Sequence, residues 1–179
     1  MTGIYDIIKV HKRLSGKRIE RKEQKRMTEL DVKIVELPAM KAASFHGFGN
    51  SPEPKAHDAA IAWLKENDLF KEGSYRTFGF NNPNPSPGSP NYGYELWVVP
   101  TEGLPEGHGT KEVDFEGGLY AVAYCPSLDV IGEIWQKLVA WRDASEYQPA
   151  KHQWLEEERE HWLAHKPTNH FDLYLPIGK

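Results

Sequence analysis

The chain repeats itself, and that constrains its fold more than any single motif. Met40-Lys41-Ala42-Ala43-Ser44-Phe45 aligns with Leu119-Tyr120-Ala121-Val122-Ala123-Tyr124, and Tyr94-Glu95-Leu96-Trp97-Val98 aligns with Phe171-Asp172-Leu173-Tyr174-Leu175. Two segments recurring in the same order at nearly one spacing point to a duplicated unit. The body of the chain therefore reads as two halves, about 31–100 and 110–179.

Each half predicts the same order of elements. In the first, Asp31–Leu37 and Met40–Gly47 are short alternating segments joined by Pro38-Ala39, expected to pair as strands. A helix is expected over Pro54–Asn67, with Ala60, Ile61, Trp63 and Leu64 at helical spacing and Pro54 suited to its first turn. Strands Arg76–Phe80 and Tyr92–Val99 follow, separated by NNPNPSPGSPN, whose four prolines exclude regular structure. The second half offers a hairpin of Lys111–Phe115 and Leu119–Cys125 around Glu116-Gly117-Gly118, then a helix over Leu128–Ala144. Ile131, Ile134, Trp135, Leu138 and Trp141 form its apolar stripe. Strands near Gln153–Glu158 and Phe171–Ile177 complete it, although the run EEEREHWLAH also suits a helix.

The expected class is α+β: duplicated βαββ-type units related by a pseudo-two-fold axis. Their antiparallel sheet carries the helices on one face and leaves the other for a ligand cleft. Alternation along Tyr92–Val99 sends Tyr94, Leu96 and Val98 toward the helices, and Glu95 and Trp97 to the opposite face. In the repeat, Phe171, Leu173 and Leu175 face the core while Asp172 and Tyr174 share the face of Glu95 and Trp97. Acid beside aromatic, twice on one surface, suits a planar organic cation, which gains from both carboxylate charge and aromatic faces. The same pattern also describes solvent-side residues of half-exposed strands. Glu95, Trp97, Asp172 and Tyr174 are the candidate ligand-binding residues.

Charge is divided unevenly. Residues 1–30 hold nine Lys/Arg against four acids, a basic arm of +5, so that residues 31–179 carry −9 against the total of −4. An acidic body repels nucleic acid and attracts cations. The single cysteine leaves no intramolecular disulfide framework, and no apolar run reaches a membrane span or a secretory leader, so a cytoplasmic location and no membrane association are expected.

Other constellations are weaker. His161 and His165 are four apart, but Trp162 stands where the metalloprotease pattern requires glutamate, so no metal site is expected. Cys125 falls opposite His46 when the Met40 and Leu119 segments are aligned, yet a lone buried thiol is the commoner role for such a cysteine. No phosphate loop, dinucleotide fingerprint or nucleophile elbow occurs, and neither a cofactor nor a catalytic residue is assigned.

VKIVELPAMKAASFHGFG, YGYELWVVP, EGGLYAVAYC, IGEIWQKLVAW and FDLYLPIGK, in this order and spacing, resemble the GyrI-like, AraC-type effector-binding family over residues 31–179. The resemblance implies a pseudo-two-fold fold with a central cleft for a small molecule. In multidrug-sensing relatives a strand glutamate meets cationic ligands, and Glu95 is the matching position. It also implies links to transcriptional regulation or drug sensing. Regulator relatives carry a helix-turn-helix domain ahead of this module, for which segment 1–30 is too short, so direct DNA binding is not expected. Some relatives are hydrolases of cyclopropane-type electrophiles. For such chemistry Glu95 would position water or a proton, with Glu156 or Glu157 as a second carboxylate. A gyrase-inhibitor-like partner role is the third reading.

Overall fold

The structure is a computed structural model that describes residues 30–159 and 170–179. Nine strands and two α-helices are set out among them. The strands are β1 (Val32–Leu37), β2 (Met40–Gly49), β3 (Tyr75–Asn81), β4 (Tyr92–Pro100), β5 (Lys111–Phe115), β6 (Gly118–Cys125), β7 (Gln148–Pro149), β8 (Leu155–Glu158) and β9 (Phe171–Gly178). Helix α1 is Glu53–Glu66, and α2 is Ile131–Asp143, led in by a 3-10 turn at Leu128–Val130. His161 and His165 lie outside the described residues, as does the basic arm up to residue 29.

The strands form one antiparallel sheet in the order β1-β6-β9-β8-β3-β4-β2-β5, with β7 pairing the outer part of β9. Read from its two ends this order is a palindrome of the halves. Strands β1, β6, β9 and β8 answer to β5, β2, β4 and β3, so the pseudo-two-fold axis falls between β8 and β3. There Gly79 stands opposite Glu156.

Two expected strand pairs are not formed. β1 does not pair with β2, and β5 does not pair with β6; instead β1 pairs with β6, and β5 with β2. Two-residue hairpins need positive φ at their central positions, whereas proline is locked at a φ of about −65°. Pro38 thus carries the chain out of its own half and across to the other. Gly117 (φ +84°) makes the reciprocal crossing at contact distance: a Cβ there would lie 2.5 Å from the Leu37 carbonyl oxygen. Each half lends its first strand to the other, which ties the duplicated units together.

Register also refines the repeat. Ser44 pairs with Trp97, and Val122 with Tyr174. With Trp97 and Tyr174 equivalent, the counterpart of Ser44 is Val122, not Ala123 as the sequence alignment has it. That alignment is one position too far along β6, and a one-residue slip reverses every side chain in a strand. His46 therefore corresponds to Tyr124, and Cys125 to Gly47. Cys125 donates to the Ser127 carbonyl at 3.1 Å, while His46 Nε2 bonds the Asn82 carbonyl at 2.7 Å.

Both helices pack on one face. α1 lies over β2 and β4, and α2 over β6, β9 and β7. Ala56, Ala60, Trp63 and Leu64 of α1 are buried against Ala43, Phe45, Tyr94, Leu96 and Val98, the alternation set expected to meet a helix. The other face is a second core, rich in aromatic rings. Trp97 contacts Phe80 (centroids 4.9 Å apart) and Phe115 (5.8 Å), and Tyr120 links Phe115 (6.5 Å) to Tyr174 (5.7 Å). These tilted and edge-to-face contacts add specific geometry to the area the rings bury.

Candidate functional site

All four sequence-predicted residues lie on the sheet face away from the helices, but they divide into separate arrangements. Glu95 and Trp97 meet directly, the indole N–H donating to Oε1 at 3.1 Å. The same oxygen accepts from the Ser44 hydroxyl at 2.7 Å, and Oε2 accepts from the Asn82 amide at 2.6 Å. Lys111 Nζ stands 3.6 Å from Oε1. The Asn82 amide is brought there because residue 93 is glycine: a Cβ would lie 1.8 Å from the Asn82 carbonyl oxygen. Burial pushes the Glu95 carboxyl up, but the donors Ser44, Asn82 and Trp97 and the charge of Lys111 outweigh it and hold the pKa below the usual value. Glu95 is thus an ionised, buried carboxylate satisfied by its own neighbours.

Asp172 and Tyr174 do not reproduce that pair. Asp172 accepts from Arg159 Nε at 2.7 Å. The Tyr174 hydroxyl donates to Glu157 Oε2 at 2.5 Å, and Glu157 is gripped by Arg76 through Nε (2.6 Å) and Nη2 (2.9 Å). These acids also have their cations or donors in place.

A different acidic group stands on the helix face, over the β3–β8 pair that lies between the strands covered by α1 and those covered by α2. Glu156 and Glu158 reach it from alternate positions of β8, and Glu53 and His57 from the first turns of α1. Tyr94 stands at its centre, its hydroxyl over Gly79, where a Cβ would be 1.8 Å from Oη. Burial first, then the charges of Glu156, Glu158 and Glu53, hold the Tyr94 phenol well above its ordinary value, which fixes it as a neutral hydroxyl. Glu53 accepts from the Tyr92 hydroxyl at 2.6 Å. His57 bonds Glu158 Oε1 through Nε2 at 2.6 Å and the Glu53 carbonyl through Nδ1 at 2.7 Å. Burial lowers the His57 pKa, but Glu158 and the Glu53 carbonyl more than reverse this and raise it.

Glu156 is the least compensated of these groups. Burial, with the charges of Glu158 and Glu53, pushes its carboxyl up to about 7, against one weak donor among the described residues, Trp135 Nε1 at 3.4 Å. Trp135 lies 5.2 Å from Trp154, ring centroid to ring centroid. In the α2 stripe Leu138 alone is fully buried, Ile131, Ile134 and Trp135 are half-buried, and Trp154 is 40% exposed. Glu156, Trp135 and Trp154 thus form a second acid-and-aromatic group, on the face opposite Glu95 and Trp97. The signal in the sequence is the run of three glutamates after Leu155, whose alternation sends Glu156 and Glu158 to one face and Glu157 to the other.

Residues 33–177 match the Cass2 family, integron-associated effector binding protein. The chain belongs to that family, which is GyrI-like. No curated protein matches it. Solved structures share the fold at low identity. A hydrolase from Listeria innocua superposes with a TM-score of 0.60 at 12% identity, covering 88% of this chain and 98% of that one. The C-terminal domain of EcmrR gives 0.61 at 10%, covering 84% and 98%. SAV2435 bound to tetraphenylphosphonium gives 0.50 at 8%, covering 83% and 94%. At these identities the likeness is one of fold. The antiparallel sheet, the two helices on one face and the duplication are those of an effector-binding domain. Among the described residues no helix is long and apolar enough to cross a membrane, and no cluster of His, Cys, Asp and Glu has the arrangement of a metal site.

Proposed function

We propose that this protein binds a small, planar organic cation between α1 and α2, with Glu156 as the counter-charge and Trp135 and Trp154 as the aromatic walls. The observation that carries the reading is Glu156 itself: a half-buried carboxyl raised to about 7 beside the partly exposed Trp135 and Trp154. A carboxylate held out of water without a cation is unstable, so it is either protonated or neutralised by what binds. An arriving cation supplies the missing charge, and each indole face adds about 0.5–2 kcal/mol. Glu95, by contrast, already has three donors and a lysine. The effector-binding family and the phosphonium ligand of SAV2435 support a cationic small molecule as the ligand class. Sensing or sequestration of such compounds is the role that follows.

The test is a fluorescence titration with cationic acridine orange and anionic fluorescein, which are of similar size. Wild type should bind the cation and exclude the anion. Glu156→Gln should weaken cation binding at least tenfold, while a folded Glu95→Gln should stay within a few-fold of wild type. Loss of binding in Glu95→Gln with Glu156→Gln unaffected would move the site to the other face, and binding of neither dye would reject the reading.

A further inference from the structure

The cation is also constrained in kind. Glu158 has a side chain only 3% exposed. Its Oε1 is bonded to His57 Nε2 at 2.6 Å, whereas Oε2 is buried and has no hydrogen-bond partner among the described residues. The His57 ring is itself braced on the Glu53 carbonyl, so the carboxylate is held in one orientation rather than free to turn its second oxygen elsewhere. Glu156 lies two residues away on the same face of the same strand, and the charges of both carboxylates raise the Tyr94 phenol.

Resting on the reading above, we infer that this site selects cations carrying an N–H donor, such as protonated amines, amidinium or guanidinium groups, over fully alkylated onium ions. Both classes satisfy the charge of Glu156. Only the first can donate to Glu158 Oε2. A buried acceptor left without a donor retains its full desolvation penalty, and a hydrogen bond to a charged acceptor removes it. The same asymmetry lets a site built to hydrogen-bond its ligand reject an analogue that lacks the donor, although the analogue has the same shape and charge. Quaternary ammonium and tetra-arylphosphonium ions would therefore be the poorer ligands here.

The test uses acridine orange, protonated at its ring nitrogen near neutral pH, and its N10-methyl derivative, which has the same plane and charge but no N–H. Wild type should bind the protonated dye roughly ten- to a hundredfold more tightly. Glu158→Gln, checked for folding by circular dichroism, keeps an oxygen for His57 but turns its amide N–H toward the ligand, so the preference should vanish or invert. Equal affinity of wild type for the two dyes would overturn the inference while leaving the cleft intact. A preference that persists unchanged in Glu158→Gln would also overturn it, since that would be a steric effect of the methyl group. Binding of neither dye would remove the underlying cation-binding reading as well. If Glu158→Gln fails to fold, equal affinity of wild type for benzyldimethylammonium and benzyltrimethylammonium would still overturn the inference.

Discussion

Gly79 and Tyr94 occupy the same space: the tyrosine hydroxyl stands where a Cβ at residue 79 would be, 1.8 Å from it, with the ring carbon bearing that hydroxyl at 2.5 Å. The glycine lies on the pseudo-two-fold axis opposite Glu156, so the phenol is drawn down onto the sheet beside the least compensated acid in the site. Gly79→Ala should force Tyr94 out of this seat at a cost of about 1–3 kcal/mol, the usual range for overpacking. Denaturant unfolding measures it. In a Tyr94→Leu background the same substitution should cost much less, and equal costs in the two backgrounds would show that the contact does not govern the site.

The crossing of the halves makes a second prediction. Gly117 has φ +84° and would place a Cβ within 2.5–2.8 Å of backbone atoms of Leu37, Pro38 and Ala39. Backbone cannot rotate aside as a side chain can. Gly117→Ala should therefore destabilise by about 1–3 kcal/mol through strain at both the dihedral and the contact. Gly88, also at positive φ but with nothing within 4 Å, should show only the dihedral part of that cost. A thermal-shift comparison of the two variants separates the terms.

These glycines mark where the sequence stops being legible. The helices, the strand alternation and the Tyr94–Val98 and Phe171–Leu175 repeat are visible in it because period and residue type act locally. The exchange of first strands is not, because Pro38 forbids a hairpin without saying where the chain goes next. The alignment of Ser44 with Ala123, one residue beyond its true counterpart Val122, gives Cys125 and Phe45 the wrong equivalents, since only the pairing with β4 and β9 fixes the register. For the candidate site, the alternation of β4 and β9 shows which acids and aromatic residues share a face. Which of those carboxylates find donors is decided only in three dimensions. Ser44 and Asn82 satisfy Glu95 from 51 and 13 residues away. No pattern within β4 reveals that.

Glu95 supplies the third prediction. Its folded pKa is below the ordinary value, so its ionised form stabilises the protein above the unfolded pKa, and the contribution is lost as pH falls through the folded one. Glu95→Gln keeps an oxygen for Ser44 and Trp97 but sets an amide against the Asn82 amide, leaving a donor facing a donor. The cost at pH 7 should be about 1.5–3 kcal/mol. It should shrink as wild type is taken toward pH 3, where its own carboxyl protonates. Unfolding midpoints of both proteins across that range provide the measurement, and a difference independent of pH would contradict the ionised assignment.

Glu156 behaves in the opposite sense. Its folded pKa is raised from 4.5 to about 7, so the native state holds a proton that the unfolded chain has released. Stability attributable to this group is full below about pH 4.5, declines as pH rises, and is lost above 7. The penalty then amounts to about 3 kcal/mol. Glu156→Gln keeps an oxygen for the Trp135 N–H and cannot ionise. It should be close to wild type at pH 4.5 and more stable than wild type by up to about 3 kcal/mol at pH 8. Cation binding must show the mirror image of this: affinity of a permanent cation for wild type should rise between pH 6 and 7 and level off above 7, because only the ionised carboxylate attracts it. At pH 6.5, calorimetry in two buffers of different ionisation enthalpy should detect a fraction of a proton released per ligand bound, and Glu156→Gln should release none. On the proposed function, the residue that weakens the protein at neutral pH is the one that binds the ligand. A variant both stabilised at pH 8 and deficient in cation binding would establish that trade, whereas a stabilised variant with wild-type affinity would separate this acid from the site.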